Sequence, residues 1–398
     1  MGAFDAVVHT ITANWTKPFT PITPIFPSFT PATKCNAVPS QTATGFFRVQ
    51  QVDDKWWLID PNGDPFYYVG IDHVNYGVFW TESLGRAEYH DNCVAKYGSQ
   101  SAWASAATSR LLSWGFNTLA TGQSASTQHM GLAHMITHST SSFSVDVSYI
   151  SPKTTWTGFP DVFHPRWKDY LTILFLDSDS YKNDPYVVGN FVDNEIEWWG
   201  TVELPKCTLG DSCMFLEVWK RPSNNTAKQR WVQFLKEQIP TNFQSRWKTI
   251  WNMSGIASAS ALLSHTTPMP PPTDDAKEIA RLFLRLVAET YFSTVSQAVK
   301  AADPNHLYLC NRFPGSAPDI VDIAEKYCDV MSWNWYPTID PHFGIPDSTV
   351  AALDKFHSRA PSKPMIITEW SFPALDAGLP STKGAGMRVD TQARKARC

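Results

Sequence analysis

Val187-Val188-Gly189-Asn190-Phe191-Val192-Asp193-Asn194-Glu195 and Pro364-Met365-Ile366-Ile367-Thr368-Glu369-Trp370 are the two stretches that decide how this chain is read. Each is an apolar, strand-like run that stops abruptly at a carboxylate. A near-continuous apolar run is the mark of a strand buried on both faces, as in a parallel sheet covered by helices. Ends of such strands are where parallel α/β folds present their chemical groups. A lone Glu is ordinarily a solvated surface charge, but an acid that closes an apolar run is less expected to be one.

The surrounding rhythm agrees. Phe46–Gln51, Lys55–Asp60 and Pro65–Ile71 read as strands joined by Val-Asp-Asp and Pro-Asn-Gly-Asp turns, a short N-terminal β-hairpin and its continuation. Ala104–Trp114 reads as a helix stopped at Gly115, Phe116–Ala120 as a strand, and Leu132–His138 as a weaker one. Trp167–Leu176, Ala227–Ile239 and Asp275–Ala301 carry helical periodicity. The closing part alternates: strand His306–Cys310, helix Pro318–Lys326, strand Asp329–Trp335, helix Ser348–Ser358, strand Pro364–Thr368. That alternation argues for an α/β fold with a parallel sheet. No glycine-rich phosphate fingerprint follows a strand, so a barrel is favoured over a doubly wound sheet. Starting at Phe66, seven barrel strands can be counted, and no strand-like run follows Glu369. The expectation is therefore a (β/α)8 barrel with its eighth strand missing and a chain cut short. Residues 1–43, rich in Thr and Pro, are expected to be an extended tether, 44–398 the barrel domain, and 253–273 a loop insertion within it.

A net charge of −4 gives no reason to expect nucleic acid or an anionic membrane as a partner. No run is long and apolar enough to span a bilayer. Aromatic residues make up 13% of the chain, including 17 Trp, and flat rings with a polar edge suit sugar faces, although most rings are expected in the core. The 7 Cys show no metal-ligand spacing; Cys207 and Cys213 are close enough to close a small disulfide loop. With sequons at Asn14, Asn224 and Asn252, this leans towards an extracellular protein, though Met1–Trp15 has no signal-peptide pattern. No Gly-x-Ser-x-Gly or two-His helical motif is present, so neither a serine nucleophile nor a metal or other cofactor is expected.

Two strand-end carboxylates facing each other across a sugar are what glycoside hydrolysis requires. Glu195 and Glu369 are the candidates for that pair, with Asp193 and Glu197 as competitors for the acid role. Asn194 and Trp370 adjoin them and can bind a sugar hydroxyl and floor a subsite. Asp72, His73 and Arg312 also lie at strand ends, where rim salt bridges and sugar contacts are equally open readings. Trp198 and Trp199 can stack on sugar or pack under a loop.

Six ordered blocks carry a resemblance to a known family. They are Gly45-Phe46-Phe47 with Trp56–Gly63 and Val69–Asp72, Phe159–Pro165, Phe191–Glu195, Tyr308–Phe313, Cys328–Tyr336 and Ile367–Trp370. Together, over roughly 45–398, they resemble family-50 glycoside hydrolases, the β-agarases, with His164 where that family usually has Asp. The resemblance implies a retaining (β/α)8 glycosidase acting on a poly- or oligosaccharide, a β-linked galactan such as agar. It implies Glu195 as acid/base after strand four and Glu369 as nucleophile after strand seven. It further implies that Asn194 contacts the 2-hydroxyl, that Tyr336 holds the nucleophile, and that Trp335 belongs to the substrate site. Alternatives from the same residues are a hydrolase of another β-glucan or mannan, and a non-catalytic carbohydrate-binding relic.

Overall fold

The computed structural model describes residues 25–31, 38–77, 80–153, 157–200, 207–266, 270–315, 317–339, 345–376 and 386–395. Much of the Thr/Pro-rich stretch, Asn14, Cys35, Gly384-Ala385 and Cys398 lie outside them. The strands are β1 (Arg48–Val52), β2 (Lys55–Ile59), β3 (Pro65–Phe66), β4 (Gly70–Ile71), β5 (Thr118–Leu119), β6 (Ala133–His138), β7 (Tyr149–Ser151), β8 (Phe159–Pro160), β9 (Val187–Val192), β10 (Leu307–Tyr308), β11 (Arg312–Phe313), β12 (Met331–Asn334) and β13 (Met365–Glu369).

β1, β2 and β3 form an antiparallel meander. Its turn at Gly63 has φ +91°, and a Cβ there would lie 2.1 Å from the carbonyl oxygen of Gln41, so only glycine fits. The expected single strand Pro65–Ile71 is instead two. Phe66 ends the meander, and Gly70 opens the parallel sheet. Between them the Asn117 side chain accepts from the Val69 amide (2.9 Å) and donates to the Tyr67 carbonyl (2.7 Å). A side chain thus takes the ladder partners of this segment and lets the chain change sheets.

A parallel sheet runs in the order β4-β5-β6-β9-β10, and a second in the order β11-β12-β13. They are joined, because β10 and β11 are two halves of one strand position broken at Cys310, whose φ is +68°. Beyond the break Asn194 bridges to Arg312, with Glu195 N–H donating to the Arg312 carbonyl at 2.9 Å. The order β4, β5, β6, β9, β10/β11, β12, β13 therefore gives successive parallel positions ending at the strand that carries Glu369. Among the described residues no strand pairs with the outer edge of β4 or of β13. At Gly189 in β9 a Cβ would stand 2.4 Å from the Leu307 carbonyl oxygen, so glycine allows the close approach of β9 and β10.

Helices cover the sheet. Gln100–Ser113 is capped by the Ser99 side chain, Thr226–Gln238 by Asn225, and Asp274–Ala302 by Thr273 with Asp274 and Asp275 in its first turn. The last helix buries a stripe of Ile279, Phe283, Val287, Tyr291, Val295 and Val299, the spacing of one helical face. Helices Met214–Lys220 and Phe243–Trp251, not expected from the sequence, add Trp219, Trp247 and Trp251 to the same core, where Trp219 packs on Trp231 of helix Thr226–Gln238. Within 253–273, Ala259–Ser264 forms a 3-10 helix whose Ala259 and Leu262 enter the same core.

On the other face, Ala120, Met135, Val188, Phe191, Leu309 and Val330 form one cluster closed at one end by Phe47, Phe66 and Phe29. The described part of the Thr/Pro-rich stretch is thus docked through Phe29 rather than free, because that ring has an apolar pocket to enter. The C-terminal tail contributes one helical turn, Gln392–Lys395, and a parallel bridge between Ala374 and Val389. Disulfides join Cys207 to Cys213 and Cys310 to Cys328; Cys93 is free and buried. Among the described residues no helix is long and apolar enough to cross a membrane.

Candidate active site

The site is assembled where the parallel strands end. After Val192 the chain leaves strand geometry: Asp193 and Glu195 both have positive φ, +65° and +48°. Two left-handed non-glycine residues carry roughly 1–3 kcal/mol of backbone strain each. The surrounding bonds sustain it. Asp193 is fully buried and accepts from the Thr140 amide, the Thr140 hydroxyl and the Tyr291 hydroxyl, each at 2.6 Å. Burial pushes its carboxyl above the usual range, with the Thr140 and Tyr291 donors opposing. Asp193 is thus an anchor that fixes the turn, and strand parity could not reveal this because the strand ends before it.

With Asp193 anchored, Asn194 and Glu195 meet the end of β12. Asn334 Nδ2 donates to Glu195 Oε1 (2.9 Å) and to Asn194 Oδ1 (3.1 Å), while Asn334 Oδ1 accepts from Thr368 Oγ1 (2.7 Å). Asn334 is completely buried and joins the end of β9 to the end of β13. No cation pairs with Glu195 among the described residues.

Glu369 is held differently. Arg312 Nη1 lies 3.0 Å from its Oε1, and the Tyr336 hydroxyl donates a short hydrogen bond to its Oε2. Burial and then the Glu369 carboxylate push the Tyr336 phenol well up, so it stays a donor. Arg312, 2% exposed, also bonds Asp72 Oδ2 (2.8 Å), Thr121 Oγ1 (3.2 Å) and the Thr368 carbonyl (2.9 Å). Asp72 Oδ1 in turn accepts from the amide and hydroxyl of Thr121. For Arg312 and Asp72 the salt-bridge reading holds. Arg312→Met leaves two carboxylates beside each other without their cation, so unfolding stability should fall by about 3–5 kcal/mol. Urea denaturation checks this, and an unchanged midpoint would show that the ion pairs contribute no net stability.

The remaining sequence candidates are placed as follows. His73 has φ +60°, and its amide bonds Thr121 O at 2.7 Å. With Asp72, Tyr336, Glu369 and Trp370 it lines a cavity of about 1150 Å³ between the outer edges of β4 and β13. Trp370 is 63% exposed there. Trp335 donates its amide to Glu369 O (2.7 Å), but its ring packs edge-on against Trp333, 4.2 Å between centroids. Trp198 is a core residue between Phe159, Tyr291 and Phe292, so its packing reading holds. Glu197 has a buried, unpartnered Oε2, and burial, with Glu217 adding to it, pushes its carboxyl up. His164 accepts from the Arg166 amide and packs on Phe143. Sequence reasoning did not single out Asn334, Thr121 or Thr368. Asn334, a polar residue closing an apolar strand, carried the one usable signal.

No family model matches the chain. It is 25% identical over 403 residues to β-agarase A of Vibrio sp. (strain JT0107), covering 88% of this chain and 39% of that protein. To β-agarase B of the same strain it is 27% identical over 409 residues, covering 86% and 40%. The chain is thus similar in sequence to β-agarases. It spans about two fifths of the length of these relatives. Its fold agrees with that of solved structures. A crystal structure of an agarase superposes with a TM-score of 0.73 at 21% identity, covering 99% of this chain and 60% of that one. An exo-β-agarase gives 0.74 at 23% identity, covering 93% and 58%.

Proposed function

We propose that the chain carries the catalytic site of a retaining glycoside hydrolase that cleaves a β-linked galactan such as agar. The observation that carries this reading is the unequal treatment of two strand-end carboxylates. Glu369 has a guanidinium on one oxygen and a phenol on the other, which fix the carboxyl group in one orientation, as a nucleophile needs. Glu195 has the Asn334 amide on one oxygen and, among the described residues, no cation, the contact set that suits the acid/base partner of a clamped nucleophile. In this reading Glu369 attacks the anomeric carbon, Glu195 protonates the departing oxygen and then deprotonates water, and configuration is retained. Asn194 binds the 2-hydroxyl of the sugar, Tyr336 orients the nucleophile, and exposed Trp370 offers its ring to a sugar face in the cavity. No cofactor enters these steps.

The accompanying fold reading is an incomplete (β/α)8 barrel. It is supported by the successive parallel positions from β4 to β13 and by an apolar cluster drawn from β6, β9, β10 and the residue that follows β5. The agar substrate is supported by the similarity to β-agarases A and B. An extracellular location is supported by two disulfides and by exposed sequons at Asn224 and Asn252.

The test is incubation of the purified chain with agarose, following reducing ends and, by proton NMR, the anomeric form of the first product. Release of products that start in the β configuration is expected. First products in the α configuration would overturn the retaining mechanism, and activity confined to β-glucan or mannan would overturn the galactan assignment.

A further inference from the structure

At the opposite end of the parallel strands lies a cluster that the proposed reaction does not use. His134 is the second residue of β6, in register with Val187 of β9, and Asp184 precedes that strand. His129 is on the loop that leads into β6, with φ +59°. Asp184 Oδ2 is 2.7 Å from His129 Nε2 and 3.5 Å from His134 Nε2. The three ligand-type atoms lie within 4.8 Å of one another.

Two features make this more than a hydrogen-bonded acid. First, His134 is 1% exposed, and its Nε2, the nitrogen that faces Asp184, stands 3.5 Å from an oxygen already engaged by His129, which leaves that nitrogen short of a partner. A buried imidazole normally has its nitrogens satisfied. Second, Asp184 is pre-set: its Oδ1 accepts from the Tyr186 amide (3.0 Å) and its carbonyl accepts from His306 Nε2 (2.9 Å). That leaves Oδ2 as the atom aimed between the two imidazoles. Two neutral imidazoles and one carboxylate are a donor set for a borderline divalent ion, which oxygen-preferring magnesium or calcium would not favour.

The geometry points to a divalent transition-metal site, of zinc type, formed by His129, His134 and Asp184. His129 is the half-buried member of the three, and His134 and Asp184 are buried. Bound there, the ion ties the loop before β6 to the starts of β6 and β9, and so braces the strand whose far end carries Glu195. The role is structural, since the cluster lies at the end of the strands away from Glu195 and Glu369.

The test uses the chelator-treated 398-residue chain, titrated with Zn2+ by calorimetry and with Co2+ by visible absorption. One equivalent should bind, with the intense absorption of a four-coordinate cobalt site and a rise of a few degrees in Tm. His129→Ala changes a half-buried loop residue and should weaken binding at least about a hundredfold and remove the Tm shift. Asp184→Asn provides a second variant should the first fold poorly. Absence of binding, binding equally strong in both variants, or an octahedral cobalt spectrum would overturn the site.

Discussion

Glu369→Ala is expected to abolish turnover, with a loss of at least ~10⁴-fold, because it removes the group proposed to attack the anomeric carbon. The fold should persist, since Arg312 keeps its bonds to Asp72, Thr121 and the Thr368 carbonyl. Azide should then restore activity. The space vacated by the carboxylate is lined by the Arg312 guanidinium and the Tyr336 hydroxyl, both suited to an anion. A single displacement by azide inverts the anomeric carbon, so the rescued product should carry configuration opposite to that of the wild-type product. Proton NMR of that product checks the assignment. Wild-type rates in the variant, or a rescued product of unchanged configuration, would remove Glu369 from the nucleophile role.

Glu195→Ala separates the acid from the nucleophile. On polysaccharide, whose leaving alkoxide needs a proton, the rate should fall by roughly 10²–10⁴-fold. On aryl glycosides with acidic leaving groups, formation of the glycosyl-enzyme should proceed near the wild-type rate, and its breakdown should become limiting. Burst kinetics would reveal this. Asn334 keeps Asn194 and Thr368 as partners in the variant, so the end of β9 should hold its place. Equal losses on both substrate types would mean that Glu195 positions the substrate and does not donate the proton.

The sequence by itself determined the two strand-end positions of Glu195 and Glu369 and the elements that carry them. An apolar run that ends at a carboxylate is a local pattern, complete within about eight residues, and β9 and β13 follow it to within a residue or two. Helix Asp274–Ala302 was legible for the same reason, through its repeat. Tertiary structure alone decided the rest. Pro65–Ile71 reads as one strand until the Asn117 side chain, distant in sequence, takes its ladder partners. Asp193 and Glu195 are indistinguishable by strand parity until left-handed turns send one to Tyr291 and the other to Asn334. The Arg312–Asp72 pair joins residues 240 positions apart. Local periodicity is fixed by the backbone geometry of a short window, whereas such pairings depend on the register of strands that meet only when the sheet has formed.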